Sequence, residues 1–364
     1  MVDTMQLPLN QIIHGNSIEE MSHLPAASMD LIFADPPYNL QLQGDLWRPN
    51  QTKVDAVDDD WDQFDSYQEY DQFTTAWLTE AQRLLKDKSS IWISGTYHNI
   101  FRVGAIMQKL GFWILNTITW FKPNAMPNFN GTRLKNDTEI LIWAKKAETA
   151  TYHFNYQLMK RFNQRKQLGS VWQIPICMGA ERLTDENGNK LHSTQKPEEL
   201  LRRILLASGK PGFIVLDPFS GTGTTAAVAK ELHMQWIGIE REQTYIQPAI
   251  DRIAAKSARP PEDDLFKAFA RGKPPRVAFS ALLDVGYLKA GQTLYLDDPQ
   301  YHAEIQASGH LRHNGADGSI HQLGKMLKQT QSCNGWKHWY YEDDAGKRRP
   351  IDHLRDQYRA NELP

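Results

Sequence analysis

An α/β fold built on a mostly parallel sheet, with a smaller module after it, is what this sequence predicts. Three observations carry the expectation. The run Leu31-Ile32-Phe33-Ala34 leads directly into Asp35-Pro36-Pro37-Tyr38. About 180 residues later, Phe213-Ile214-Val215-Leu216 leads into Asp217-Pro218-Phe219-Ser220-Gly221-Thr222-Gly223-Thr224-Thr225. The second motif also opens a strand–helix–strand unit, 213–216, 224–232 and 235–239, the clearest supersecondary signal in the chain. Unbroken apolar runs of this length read as buried strands, and each motif falls where a strand gives way to a loop. Ligands of open α/β sheets bind at the carboxyl ends of strands. The two motifs therefore predict one cleft with two occupants.

Taken in order, residues 31–34 form the first predicted strand. Phe73, Trp77, Ala81, Leu84 and Leu85 recur at helical spacing, and that helix stops near Lys86-Asp87. Ile91-Trp92-Ile93 reads as a short strand, and Phe112–Phe121 and Glu139–Ala144 as two more, rich in β-branched and aromatic residues. Pro, Asn and Gly punctuate 122–136, a loop at the sheet edge. The stretch 150–195 gives mixed signals. Leu200, Leu201, Ile204 and Leu205 make one apolar helix face ahead of the βαβ unit. After residue 255 the composition turns charged and proline-rich, as in a linker. The remaining residues, from about Val277, have the length of a small domain. They hold six of the twelve histidines and a dense aromatic patch, Trp336, His338, Trp339, Tyr340 and Tyr341. In that patch Trp339 and Tyr341 read as core. Trp336 follows the turn signal Asn334-Gly335 and reads as a surface residue.

At 364 residues the chain is long enough to bury a sizeable core without covalent staples. Its two cysteines, Cys177 and Cys333, have no Cys or His partner at metal spacing, which argues against a disulfide framework or a structural metal and for a reducing compartment. With no signal-peptide pattern at the start and no apolar stretch of membrane length, a cytoplasmic protein is expected. The net charge of −2 does not advertise a polyanion partner, but the charge is unevenly placed. Residues 45–71 carry nine acids against two bases, and 122–170 nine bases against three acids. A polyanion would meet the second segment and avoid the first, although both runs also fit ordinary solvated faces.

The glycine motif has small residues where a backbone approaches a ligand and turns. It lacks the Gly-x-Gly-x-x-Gly of dinucleotide folds and the Lys of a phosphate loop. Glu240, closing the next strand, is placed to accept hydrogen bonds from both hydroxyls of a ribose. A loop without phosphate-binding groups beside a ribose-binding acid fits S-adenosylmethionine better than NAD or ATP. The expected cofactor residues here are Asp217, Phe219, Ser220, Gly221, Thr222, Gly223, Thr224, Thr225 and Glu240. The plain alternative is a structural glycine turn.

In the other motif, Pro36 and Pro37 fix the backbone and remove two N–H donors. Asp35 and the Pro36 carbonyl then offer two acceptors at one point, which suits an exocyclic amine with its two N–H donors. Held that way, the nitrogen is drawn toward tetrahedral geometry and its lone pair is localised toward a methyl donor. Tyr38 is expected to stack on an extruded base. Asp35, Pro36, Pro37 and Tyr38 are the expected catalytic residues, with Asp35 also touching the cofactor, no metal and no covalent intermediate. The plain alternative is a polar turn after a strand.

On these residues the chain resembles the β-class amino-methyltransferases of DNA, in which the catalytic motif precedes the cofactor motif. An Asp before Pro-Pro-Tyr favours adenine N6, where cytosine-N4 enzymes more often have Ser. His14-Gly15-Asn16-Ser17, Asn39-Leu40-Gln41-Leu42, Tyr97-His98-Asn99-Ile100-Phe101-Arg102, Pro127-Asn128-Phe129, Gln195-Lys196-Pro197-Glu198 and Cys333-Asn334-Gly335-Trp336 extend the likeness to the cell-cycle-regulated adenine methyltransferases that act on GANTC. The resemblance implies a Rossmann-like methyltransferase sheet of seven strands with helices on both faces. It implies that Asn16, Ser17 and Lys196 lie near S-adenosylmethionine, with Asn16 standing where many relatives carry Asp. It also implies that the C-terminal module recognises DNA through Ser319, Asn334 and Trp336. The expected division is a catalytic domain 1–258, a linker 259–276 and an α+β recognition module 277–364. DNA-contacting loops are expected at about 40–60 and 122–190, where Arg48 and Arg133 are candidates. Partners are DNA, with GANTC sites expected, and no membrane; a homodimer is kept open. Cytosine-N4 or RNA methylation, and a silent DNA-binding regulator, are the competing readings. Intact Asp35, Tyr38, Asp217 and Glu240 argue against the last.

Overall fold

The computed structural model describes residues 7–40, 62–128, 131–261, 263, 265–266, 275–343 and 345–362. It divides into two compact units, 1–270 and 271–364.

The first unit is an α/β sheet. Its elements in chain order are β1 (Gln11–His14), α1 (Ser17–His23), β2 (Met29–Ala34), α2 (Tyr67–Leu84), β3 (Leu85–Gly95), α3 (Ile100–Lys109), β4 (Trp113–Phe121), β5 (Thr138–Lys145), α4 (Tyr156–Met159), β6 (Val171–Gln173), α5 (Glu198–Ser208), β7 (Ile214–Asp217), α6 (Thr224–Glu231), β8 (Gln235–Glu240) and α7 (Gln243–Ala255). The strand order is β1-β8-β7-β2-β3-β5-β4-β6. Only β5 runs against the rest: it is antiparallel to β3 and β4, whereas every other neighbouring pair is parallel. The fold is the expected Rossmann-like one, with eight strands among the described residues rather than seven. The extra strand, β6, is a three-residue edge strand pairing Thr119–Phe121 with Val171–Gln173.

The apolar runs are buried on both faces. Leu31 and Phe33 of β2 join one core with Trp92, Trp143, Leu201, Ile204 and Val228, while Ile32 and Ala34 join the other with Trp77, Leu84, Val103 and Ile239. This explains why β2 shows no alternation. Helix α2 starts where Ser66 accepts from the Glu69 backbone N–H at 3.1 Å and buries Tyr70, Trp77, Leu78, Ala81 and Leu84. It runs directly into β3, which spans eleven residues rather than the three read from sequence. Helices α5–α7 are bound together by a charged network in which Arg202 and Arg259 reach Glu231 at 2.8 and 2.6 Å and Arg252 reaches Glu198 at 3.1 Å. Arg259, the first residue of the expected linker, thus packs on the first unit. Among the described residues no helix is long and apolar enough to cross a membrane.

Because β2 and β7 are neighbours, with β3 leaving on one side and β8 on the other, the chain reverses its winding between them. A crevice opens at such a point, at the carboxyl ends of the strands. The Asp-Pro-Pro-Tyr loop follows β2 and the glycine loop follows β7, so the fold sets the two motifs side by side.

The second unit is an antiparallel sheet of six strands, β9 (Thr293–Leu296), β10 (His302–Ile305), β11 (Leu311–His313), β12 (Ala316–Gly318), β13 (Trp339–Glu342) and β14 (Arg348–Pro350), in the order β12-β11-β10-β9-β13-β14. Its core gathers Leu282, Leu294, Ile305, Ile320, Leu323, Trp336, Trp339 and Ile351. Trp339 and Tyr341 are core, as expected. Trp336 is not the surface residue read from sequence. It is 6% exposed, meets Phe279 edge-on at 6.0 Å and carries the Arg355 guanidinium 4.6 Å from its ring centre. The reason lies in Gly335. A Cβ there would collide with the Ile320 backbone, so the glycine serves close packing of two helices rather than an exposed turn. Trp336→Ala is therefore expected to destabilise the protein by about 3–5 kcal/mol, the usual cost of emptying a core aromatic site. Chemical denaturation measures it; a shift below ~1 kcal/mol would contradict the packing.

Candidate active site

The Asp-Pro-Pro-Tyr loop is fixed by neighbours on both sides. The Asp62 carboxylate accepts three successive backbone N–H groups, from Tyr38 (2.5 Å), Asn39 (2.9 Å) and Leu40 (2.9 Å). Asn39 takes a left-handed φ of 55° inside that clamp. The Tyr70 hydroxyl donates to the Pro37 carbonyl at 2.8 Å and is itself held by Asn99 at 3.2 Å.

Both oxygens of Asp35 face donors. Oδ1 accepts from the Tyr38 hydroxyl at 2.7 Å and Oδ2 from Lys196 Nζ at 2.6 Å. The Tyr38 hydroxyl also lies 2.7 Å from Ser94 Oγ and 3.2 Å from Glu139 Oε2. Glu139 in turn holds Lys122 at 3.1 Å and stands 3.8 Å from Lys196. Burial drives the Tyr38 hydroxyl well above its ordinary pKa, and the charges of Asp35 and Glu139 add to the effect. Burial pulls the Lys196 ammonium down, but Asp35 and Glu139 outweigh it and the group is held above the usual lysine value. Burial likewise pushes Glu139 up, yet Lys196 and Lys122 more than compensate and keep its carboxyl below the ordinary range.

The glycine loop closes on its own strand ends. Asp217 accepts from the Phe219 backbone at 3.0 Å and from the Thr225 hydroxyl at 2.5 Å. Burial raises its carboxyl to about 7, against those hydrogen bonds and with help from Asp35 and Glu240. Gly221 is left-handed, at φ 50°, and its N–H donates to Glu240 Oε2 at 2.6 Å; Oε1 takes the Glu242 N–H at 2.7 Å. Burial also raises Glu240. Arg252 steadies the loop from behind through the Thr224 hydroxyl at 2.8 Å.

These groups surround one cavity of about 310 Å³, at the low end of ligand-sized pockets. Asn16, Ser17, Asp35, Pro36, Pro37, Tyr38, Lys196, Asp217, Phe219, Ser220, Gly221, Thr222, Thr224, Thr225 and Glu240 line it, so nearly all the residues expected at the catalytic and cofactor positions meet in one place. Gly223 is not among them. At φ 72° it turns the chain into α6, and its Cβ position faces Ala249 and Ile253 at 3.1 Å, which makes it a packing residue. Asn16 caps α1, its Oδ1 accepting from Ile18 N at 2.9 Å and Glu19 N at 3.4 Å. Asn and Asp cap helices about equally well, so Asn16 fills the capping role that an Asp would.

Arg133 lies outside the cavity and donates to the Tyr97 hydroxyl at 3.0 Å. Arg48 falls outside the described residues, as do Gln41, Leu42 and Phe129. In the second unit Ser319 forms a capping box with Gln322, and Asn334 is exposed at the start of the Gly335–His338 helix. The structure adds lining residues that sequence reasoning missed: Asp62, Phe73, His192 and Tyr245. The rings of His192 and Tyr245 lie 4.7 Å apart. Burial, with Lys196 and Arg182 nearby, lowers His192 to about 4, so it is neutral at ordinary pH. Among the described residues no cluster of His, Cys, Asp or Glu side chains has the makings of a metal site.

A family model described as DNA methylase, covering N6 and N4 enzymes, matches residues 29–251. A second, described as Restriction Enzyme Adenine Methylase Associated, matches residues 262–363. The chain is 45% identical to the type II methyltransferase M.HinfI of Haemophilus influenzae over 91% of this chain and 92% of that protein. It is 40% identical to the type II methyltransferase M2.DpnII of Streptococcus pneumoniae over 68% of this chain and 90% of that one. Among solved structures, the PvuII DNA methyltransferase (cytosine-N4-specific) shares the fold at a TM-score of 0.52 and 18% identity, covering 71% of this chain and 91% of its own.

Proposed function

The chain belongs to the N6/N4 DNA methylase family, and from that premise we propose that it methylates adenine N6 in DNA at GANTC sites, using S-adenosylmethionine. One observation carries the choice of an amine substrate. Asp35 projects into the same cavity as the glycine loop, from the strand next to it. The Asp at the head of the motif favours adenine over cytosine. So does the C-terminal match to a model named for adenine methylases. The GANTC assignment rests on the motif likeness of the sequence.

The cavity suits the cofactor. Three carboxylates, Asp35, Asp217 and Glu240, line it, complementing a ligand that carries a sulfonium and an ammonium. The Ser220 hydroxyl lines it too, buried and without a protein partner. When bound, S-adenosylmethionine supplies an electrophilic methyl group. The chain's own part is orientation. Asp35 and the Pro36 carbonyl accept the two N6 hydrogens, Tyr38 walls the base pocket, and the aromatic and proline side chains exclude water. Asp35 would stabilise the positive charge that methylation places on N6, and the proton that N6 then sheds would pass to solvent. The C-terminal unit supplies DNA recognition in this reading, with Ser319 and Asn334 as contacts.

Glu240, already bound to two backbone N–H groups, keeps lone pairs for the ribose hydroxyls. Glu240→Ala is expected to weaken cofactor binding by about 1.5–3 kcal/mol, the range for hydrogen bonds to a charged group. Titration calorimetry measures this, and an unchanged affinity rejects the role. Base-resolved sequencing of DNA treated with the pure protein tests the function itself. N6-methyladenine within GANTC is the expected product; N4-methylcytosine, or methyladenine at other sites, would replace this reading.

A further inference from the structure

Asp35 presents a difficulty to its own substrate. Both of its oxygens already accept donors, Tyr38 on one and Lys196 on the other. An incoming amine brings more donors to the same atoms. An Asp35 neutralised by a lysine also answers weakly to the positive charge that methyl transfer places on the amine nitrogen.

The two donors, however, stand between two carboxylates. The Tyr38 hydroxyl is 3.2 Å from Glu139 Oε2, so turning its hydrogen is enough to change acceptor. The Lys196 ammonium is 3.8 Å from the same oxygen, about 1 Å beyond a close ion pair. The Glu139 side chain is 12% exposed and does not line the cavity. Lys122 anchors it at 3.1 Å, and Ser94 Oγ bridges toward it at 3.5 Å.

We propose that Glu139 is a positioning residue that takes over the Lys196 ammonium and the Tyr38 hydroxyl when the target amine takes Asp35. The exchange breaks no covalent bond and moves no net proton. Two carboxylates and two ammonium groups are present before and after it. What changes is the pairing: Lys196 and Lys122 share Glu139, and Asp35 keeps its charge for the amine. The inference rests on Asp35 being the acceptor for the target amine.

The test uses the full-length protein with Glu139→Gln, which keeps the size and one acceptor oxygen and removes the charge. Three quantities are read: cofactor affinity, single-turnover methyl transfer, and relative affinity for duplexes carrying adenine or purine, which lacks the 6-amine, at the target position. Transfer is expected to fall about 10- to 100-fold, the range for losing one hydrogen bond to a charged group. Cofactor affinity should hold, the preference for adenine over purine should shrink, and Glu139→Asp should restore part of both losses. Unchanged transfer overturns the proposal, and so does slowed transfer with the adenine preference intact. Should Glu139→Gln lose its cooperative melt, Glu139→Asp decides by the same readouts, since it keeps the charge but draws it back from Lys196 and Tyr38; transfer and the adenine preference should then fall together, by less. Asp35→Ala separates the two levels. If it methylates at near the wild-type rate, the reading of Asp35 is wrong; if it is inactive while Glu139→Gln matches the wild type, only the role of Glu139 fails.

Discussion

Asp35→Ala is expected to lower the methyl-transfer rate by at least about 10²–10³-fold, the cost of removing one preorganised group from a reacting centre. Cofactor affinity should fall far less than the rate, because Asp35 is one of several lining groups and the glycine loop and Glu240 are untouched. The substitution also strips Lys196 of its nearest counter-charge, leaving Glu139 at 3.8 Å as its remaining close carboxylate. Breaking a buried pair from one side typically costs about 3–5 kcal/mol, so the melt should fall as well. Asp35→Asn keeps the volume and one acceptor oxygen and is the milder companion. Near-wild-type turnover by a folded Asp35→Ala protein would remove Asp35 from the chemistry.

A chain ending at Ala270 is expected to keep cofactor binding and lose its target site. All the cavity-lining residues belong to the first unit. The expected loss is on the order of 10³ in affinity, the low end of the gap between specific and non-specific DNA binding. Activity on a short duplex should disappear with it. The shortened chain must retain a cooperative melt for the comparison to count. Equal methylation by the folded shortened chain and the full one would give the C-terminal unit another role.

The sequence made the centre of this molecule legible because strands buried on both faces leave unbroken apolar runs, and the motifs sit at their ends. It was silent where local pattern and tertiary role part company. Strand β1 is a four-residue edge strand of mixed exposure, and β6 is shorter still. The polar start of β3, Lys86–Ser90, hid a long strand that follows its helix without a loop. Trp336 was misread because a glycine after an asparagine signals a turn, and only the packing of Ile320 shows the close approach. Asp62 was one acid among nine in its segment, and nothing local marked it as the clamp. Glu139 carried a weak signal, a charge opening an otherwise apolar strand, whose meaning needed Lys122 and Lys196 in space.

The Asp62 clamp has one further consequence. One carboxylate holds three consecutive backbone N–H groups, so the shape of the catalytic loop is set by a charge distant in sequence and not by the loop's own residues. Removing that charge frees all three groups together. The loop is therefore built to keep or lose its geometry as a unit, with no intermediate loosening.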